Sequence, residues 1–539
     1  VAVIIAGHQR MAGKKILLLR PPLVYRRGSI QPSINIPLGL LYIAAILEKE
    51  NFSVDILDGA LSPKRPFIFN RDGSVHAGLA WPEFEQQIKK NCPDLVGITA
   101  PFSTQYDPVM ATAAIVKKVN PQAKIVVGGN YPTARPQDFL ESGRIDIVCL
   151  GEGECTMLEI ACNFYAGEGM NTIDGTAVKN GEKVFINKPR AYIKDLDQLP
   201  FPAYHKINLV DYFTLNKNYI DVHMAAPILG HTEIIHMITS RGCPFDCIFC
   251  SIHLHMGKAW RAHSPEYVLR HIDFLVKNYK VKHIHFEDDN LVYDVQRFGK
   301  VLDGLIVRDN PVVWDTPNGV RLDFFTPELV QKCSASGCGY LMFAVESASM
   351  RVQKEVIKKN IDPQKALELL GLCRAAKLDT HLCFVVGFPG ETPDEIEATL
   401  DFALRAERKY DAMSHIMIAT PLPGTKLEED FIKNKLIKEP LRADFLMRMT
   451  QGGALLDGGT FSARWLKGRL RRNSWRHYLW LGRSSMGVFL RNPKLVGLAL
   501  RKIWQIKTRR VLLFYHIYVN KNIILRFIRR GLQPNGKRI

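Results

Sequence analysis

Residues 233–250 read Glu233-Ile234-Ile235-His236-Met237-Ile238-Thr239-Ser240-Arg241-Gly242-Cys243-Pro244-Phe245-Asp246-Cys247-Ile248-Phe249-Cys250. The first seven form the short apolar run that a strand buried on both faces requires. Three cysteines follow in a Cys-x-x-x-Cys-x-x-Cys array. A loop at that spacing can turn Cys243, Cys247 and Cys250 toward one metal centre. Thiolates are the ligands of iron–sulfur clusters, which normally take four cysteines; three leave one iron open to a small molecule. Zinc is the competing reading and needs a fourth ligand, which His253 or His255 could supply. Spacing favours iron–sulfur over zinc, and both over a chance group of inert thiols.

Downstream, strand patterns recur at 283–288, 312–320, 340–346, 380–387 and 413–420. With 233–239 they make six. Helical patterns separate or follow them near 265–278, 295–308, 326–336, 350–358, 363–377 and 393–408. Six strand–helix units predict an open sheet or a partial (β/α)6 barrel, with any active site at the carboxyl ends of the strands.

Upstream, residues 14–166 alternate strands (14–20, 53–58, 94–100, 123–129, 145–150) with helices (38–50, 82–91, 108–119, 134–142, 154–166). That α/β pattern predicts a doubly wound, Rossmann-like parallel sheet. Four loops fall at one edge, Arg20-Pro21-Pro22, Thr99 through Ser103-Thr104, Gly128-Gly129-Asn130 and Gly151-Glu152-Gly153-Glu154, and the last three carry glycines or small hydroxyl residues. Together they favour a bound ligand. The absence of Gly-x-Gly-x-x-Gly after the first strand disfavours a dinucleotide. A hairpin about Asn180-Gly181 is predicted next. The chain thus divides into 10–190, a linker at 191–232, a second unit at 233–455 and an extension at 456–539.

The cysteine loop, with aromatic Phe249 before its last thiol, resembles the cluster motif of the radical S-adenosylmethionine enzymes. That resemblance spans about 233–430. It implies a [4Fe-4S] cluster on Cys243, Cys247 and Cys250, with S-adenosylmethionine on the fourth iron and cleaved there to a deoxyadenosyl radical. It also implies a partial barrel and an external one-electron reductant. Asp288 and Asp289 are then expected near the cofactor's ammonium group, Arg321 at its carboxylate, Glu346 near its ribose and Gly387 in an adenosine-side turn. A doubly wound domain before such a barrel resembles the cobalamin-dependent branch. The matching segments are Ile36-Pro37-Leu38-Gly39-Leu40-Leu41-Tyr42, Val127-Gly128-Gly129 and Gly151-Glu152-Gly153-Glu154. Thr99, Ser103, Thr104, Gly128, Gly129, Glu152, Gly153 and Glu154 become candidate cobalamin contacts. Asp-x-His-x-x-Gly is absent from this domain, so no histidine of that motif is expected on cobalt.

The chain has 539 residues, 72 Lys and Arg against 53 Asp and Glu, and 11 cysteines. Of the basic residues 20 lie in 464–539, which has no acidic residue, so the body is neutral and the tail holds the excess. Trp465, Trp475, Tyr478, Trp480 and Trp504 interleave with that charge, and 501–528 reads as one or two helices. Such a tail suits an anionic membrane surface, ahead of a folded accessory subdomain with a solvated basic face and of RNA. Nothing reaches the ~18 apolar residues of a spanning helix. The protein is expected in the cytosol, at most peripheral on the membrane's inner face, with Met11 as the expected start.

The expected reaction is cobalamin-dependent methylation of an unactivated carbon in a hydrophobic isoprenoid, lipid or tetrapyrrole-like substrate. Radical cyclisation or oxidation is the alternative within the same architecture. A methylthiotransferase-like RNA-modifying enzyme, with a second cluster on Cys92, Cys149, Cys155 and Cys162, is the alternative of another class. A non-catalytic zinc scaffold is the third.

Overall fold

A computed structural model describes residues 12–26, 34–62, 67–71, 73–218, 231–437 and 456–491, with Leu441, Phe445, Leu446 and Met449 between them. The predicted 501–528 helices lie outside the described residues. In chain order the first half supplies β1 (Lys15–Arg20), β2 (Leu23–Arg26), β3 (Ser53–Asp58), β4 (Phe67–Phe69), β5 (Ser74–Ala77), β6 (Leu95–Thr99), β7 (Lys124–Gly128), β8 (Ile147–Cys149), β9 (Thr176–Asn180) and β10 (Lys183–Ile186). The main sheet runs β10-β9-β8-β7-β6-β1-β3. Its five parallel strands reverse order between β1 and β6, and ligands of such sheets bind beyond the carboxyl ends at that switch. The β9–β10 hairpin closes one edge antiparallel.

Alternation along β1 shows why this sheet needs two covers. Ile16 and Leu18 pack with Leu47 and Leu158 on one face, and Leu17 and Leu19 with Phe84 and Val116 on the other. A period of 2 sends successive side chains to opposite faces, and both faces here are apolar. The helix expected at 134–142 is two short pieces, Asn130–Ala134 and Pro136–Leu140. Arg135, preceding a proline, leaves the helical region at φ −140°, ψ 65° and interrupts them. A small antiparallel sheet, β2-β5-β4, was not foreseen.

The second half adds β11 (Ile234–Met237), β12 (Ser240–Arg241), β13 (Arg261–Ala262), β14 (His283–Phe286), β15 (Val313–Asp315), β16 (Cys338–Glu346), β17 (Asp379–Val386) and β18 (Met413–Ile418). Six of these form a parallel sheet in sequential order, β11-β14-β15-β16-β17-β18, the partial barrel. Its outer face, including Ile284, Trp314, Phe343 and Phe384, joins the helices in the largest core. The helices start sharply because Ser264, Thr326, Asp362 and Thr392 each cap a first turn opened by proline. The third strand is shorter than predicted, since Gly319 at φ 82° belongs to a turn. Residues 350–358 hold a π-helical turn, Val352–Val356.

Residues 191–218 pack between the two sheets. Tyr204 and Tyr212 are buried in the barrel's outer core, and Tyr212 donates its hydroxyl to Asp58 at the end of β3. Asp58 also holds the buried Arg20 guanidinium through two nitrogens.

Candidate functional site

The cysteine loop leaves β11 at the carboxyl edge and is braced before it reaches its first thiol. Ser240-Arg241 pairs with Arg261-Ala262 as a two-stranded ribbon. Gly242 then turns at φ 84°, where an added Cβ would sit 2.4 Å from the Ala259 carbonyl oxygen, so only glycine fits. Its amide donates to Asp289 at 2.8 Å. Cys243, Cys247 and Cys250 follow within electrostatic reach of one another. Burial raises all three thiols, Cys250 to about 12. A cation must therefore displace their protons before they act as thiolate ligands.

Two observations favour a cluster over a single zinc ion. The three sulfurs are absent from the only His/Cys/Asp/Glu trio among the described residues whose ligand atoms all lie within 4.8 Å. One zinc ion would hold thiolates roughly 3.8 Å apart. The His253 ring is engaged with the Cys243 carbonyl oxygen at 3.0 Å.

Around the loop, several buried polar atoms lack protein partners: Asn290 Oδ1, Arg321 Nη1 and Glu346 Oε2. Asn290 offers its amide to Cys243 Sγ at 3.8 Å. Arg321 stacks on Phe245 of the loop at 3.6 Å and pairs with Asp323 at 2.7 Å. Glu346 ends β16 at φ 67°, a strained position for a non-glycine residue, and binds Lys359 Nζ at 2.6 Å. Two cations, Lys359 and Arg321, act on the Cys247 thiol. These orphan donors and acceptors fit an amino-acid-like ligand carrying both charges. Lys359 was not singled out in the sequence, where a lysine reads as surface.

Other expected contacts are committed to the protein itself. Asp288 accepts from the Thr239 amide, the Thr239 hydroxyl and the Ser240 hydroxyl, which leaves it tying β11 to β14. Among the described residues no cation pairs with Asp289, which accepts from the Gly242 amide, and burial lifts its carboxyl to about 7. Gly387 donates its amide to Glu391 at 2.7 Å. Phe249 packs on Phe388 under the loop.

The first sheet meets this loop edge-on. Glu152 and Glu154 do not open toward solvent; both turn onto Arg241. Arg241 reaches Glu152 at 3.0 Å and Glu154 at 2.6 Å, and Arg261 reaches Glu152 at 2.8 Å. Tyr42 lies under Arg241 at 5.5 Å. All four charged side chains are buried. The cause is local: Glu152 and Glu154 flank the start of Gly153–Ala166, at the carboxyl edge of β8, directly opposite the ribbon. Nearby, Gly129 at φ 134° brings its Cα so close to Ala100 that a Cβ would meet the Ala100 oxygen at 2.5 Å. Thr99, Ser103, Thr104, Gly128 and Gly129 stay half-buried along this edge, beside the switch point. Gly128, Gly129 and Gly153 leave this edge a cradle of bare backbone at the switch point.

The four cysteines proposed for a second cluster do not converge. Cys92 precedes β6, at the amino edge, whereas Cys149 ends β8 at the carboxyl edge. Cys155 and Cys162 lie on one helix.

Comparison with known proteins fits this geometry. The family model for the B12 binding domain matches residues 32–161, and that for the radical SAM superfamily matches residues 237–403. An uncharacterized methyltransferase of Pyrococcus horikoshii is 32% identical over 424 residues, covering 78% of this chain and 84% of the relative. Cytidylyl-2-hydroxyethylphosphonate methyltransferase of Streptomyces wedmorensis is 28% identical over 81% of this chain and 85% of its own. Anaerobic magnesium-protoporphyrin IX monomethyl ester cyclase of Rubrivivax gelatinosus is 26% identical over 70% and 66%. Among solved structures, the cobalamin-dependent S-adenosylmethionine radical enzyme OxsB aligns over 96% of this chain and 72% of its own. The TM-score is 0.64 and the identity 17%, which shows a shared fold.

Two expectations test the site. Replacing Arg241 with Met leaves Glu154 buried without its partner, while Glu152 keeps Arg261, and should cost about 3–5 kcal/mol in urea unfolding. The combined R241M/E154Q variant, which keeps the Glu152–Arg261 pair, should recover most of that loss, and a cost under about 1 kcal/mol for R241M would contradict the described pairing. The second concerns Glu391, whose carboxyl burial raises to about 7 despite two amide donors. Its folded pKa lies above the unfolded value of about 4.3, so stability is fullest below that pH and falls as pH rises to about 7. Glu391→Gln should remove a decline on the order of 3 kcal/mol from thermal or urea profiles taken across that window.

Proposed function

Because this chain belongs to the cobalamin-dependent radical S-adenosylmethionine enzymes, we propose that it methylates an unactivated carbon of a hydrophobic substrate. The observation that carries the reading is the edge-to-edge seating of the cradle on the cysteine loop, fastened by Arg241. The family's cofactors are a [4Fe-4S] cluster, S-adenosylmethionine and cobalamin. When bound, they supply the electron that breaks the sulfonium bond and the methyl group that is transferred.

The chain's own residues hold and orient. Cys243, Cys247 and Cys250 would hold the cluster, with the Asn290 amide donating to Cys243 and with Lys359 and Arg321 offsetting the thiolate charge around Cys247. Asn290 Oδ1, Arg321 Nη1 and Glu346 Oε2 would receive the S-adenosylmethionine polar groups. Asp289 fixes the Gly242 turn and thus the height of the first thiol. Thr99, Ser103, Thr104, Gly128, Gly129 and Gly153 would line the corrinoid side. Glu152 and Glu154 serve that side indirectly, by holding Arg241. The working division is 10–190 for the corrinoid unit, 191–232 as connection, 233–455 for the radical core and 456–539 as extension.

The extension supports the hydrophobic substrate class. Helix Ala463–Arg491 docks on acidic helix Pro393–Tyr410 through Arg469–Glu397, Arg476–Asp401 and His477–Glu407. Phe461 and Leu466 pack beside Ile396 and Leu400. Trp475 and Leu479 are exposed with Arg464, Lys467, Arg471 and Arg472, a face suited to an anionic lipid surface. Among the described residues no helix is long and apolar enough to cross a membrane.

Anaerobic reconstitution should give about four irons per chain. Turnover should release deoxyadenosine together with S-adenosylhomocysteine; deoxyadenosine alone would favour cyclisation or oxidation instead. Alanine at Cys243, Cys247 or Cys250 should lower both products more than about a thousand-fold. For the extension, co-sedimentation with vesicles of phosphatidylcholine and phosphatidylglycerol should weaken severalfold in W475A/L479A and in high salt. Equal binding to purely zwitterionic vesicles would overturn the membrane reading.

A further inference from the structure

Inside the barrel lies a trio of side chains that the chemistry above does not use. His283 and His285 flank Ile284 on β14, so their rings turn into the barrel while Ile284 packs outward. Asp315 ends the neighbouring strand and stands beside His285 in register. His283 Nε2 lies 2.7 Å from one carboxylate oxygen. His285 Nδ1 contacts the other. One ligand atom from each residue lies within 4.8 Å of the other two.

The protein alone does not satisfy this trio. Each imidazole spends one nitrogen on Asp315, and the second nitrogens, His283 Nδ1 and His285 Nε2, are buried without a hydrogen-bond partner. Among the described residues no Lys or Arg forms an ion pair with Asp315; its partners are the two imidazoles. All three residues are 0% exposed. A carboxylate and two imidazoles, all Lewis bases, thus face each other with no fixed cation, and an uncompensated buried charge is costly.

Two histidines at i and i+2 on one strand, opposed by a carboxylate on the next, offer two nitrogens and one oxygen to a borderline-soft divalent ion. We propose that His283, His285 and Asp315 bind one zinc or iron(II) ion inside the barrel, separate from the cysteine loop. Its remaining charge has a counterpart near by. The His236 ring lies 5.0 Å from that of His285, and His236 Nδ1 is bonded to Glu287 at 2.6 Å. The ion would pin β14 to β15 below the Asp288-Asp289 loop. This site goes beyond the proposed methylation and does not depend on it.

The test uses the full chain carrying C243A/C247A/C250A, made without corrinoid, so that neither cluster iron nor cobalt is counted. Inductively coupled plasma mass spectrometry should find about one zinc or iron per chain, and less than about a tenth after adding D315N. If D315N fails to fold, cobalt(II) titration of the metal-depleted parent decides: visible ligand-field bands should saturate near one equivalent and be displaced by zinc. Absence of metal together with absence of those bands, or metal content unchanged in a folded D315N protein, would overturn the proposal in favour of a proton-shared cluster.

Discussion

The bonds between Arg241 and the paired carboxylates Glu152 and Glu154 join the two halves of this molecule at the point where their chemistry must meet. Arg241 sits two residues before Cys243, and the glutamates flank the loop after β8. A buried ion network of this kind is weak as a source of net stability, because desolvation offsets most of the Coulomb gain. What it supplies is geometry. Any rotation of one sheet against the other would strand a charge away from water, so the two carboxyl edges are held in one relation. Arg261, aligned with Arg241 on the ribbon and bound to Glu152 at 2.8 Å, makes the link two-stranded.

From that relation the rest of the site follows. Asp289 holds Gly242, Gly242 permits the turn, and the turn delivers three thiols whose protons burial retains until a cation replaces them. The unpartnered atoms of Asn290, Arg321 and Glu346 surround the same loop. Strain at Glu346 and the register shift beside it mark the end of β16 as a place where regular sheet geometry gives way.

Much of the architecture was legible from pattern. Buried parallel strands announce themselves as short β-branched runs, and every expected strand of both sheets is present within a few residues, except the third barrel strand, cut short by the Gly319 turn. The cysteine spacing pointed to a loop that lies within the residues matched by the radical SAM family model. Less legible were residues whose role depends on a neighbour distant in sequence. Glu152 and Glu154 look like ligand contacts on a glycine-rich loop until Arg241, 87 to 89 residues later, takes both. Asp288 resembles a cofactor acceptor until Thr239 and Ser240 fill its lone pairs. Arg20 and Asp58 carry no motif, yet they form a buried pair with Tyr212 from the connecting segment.

The sequence by itself determined the two sheets, their order along the chain and the identity of the three thiols, because hydrophobic period and ligand spacing are local properties that need no partner. Only the tertiary structure decided which carboxylates remain available and which are consumed, how the cradle faces the loop, and that two histidines and an aspartate meet inside the barrel. Those outcomes depend on charge pairing and side-chain direction between segments far apart in sequence, and burial makes each such pairing nearly obligatory once the strands have closed.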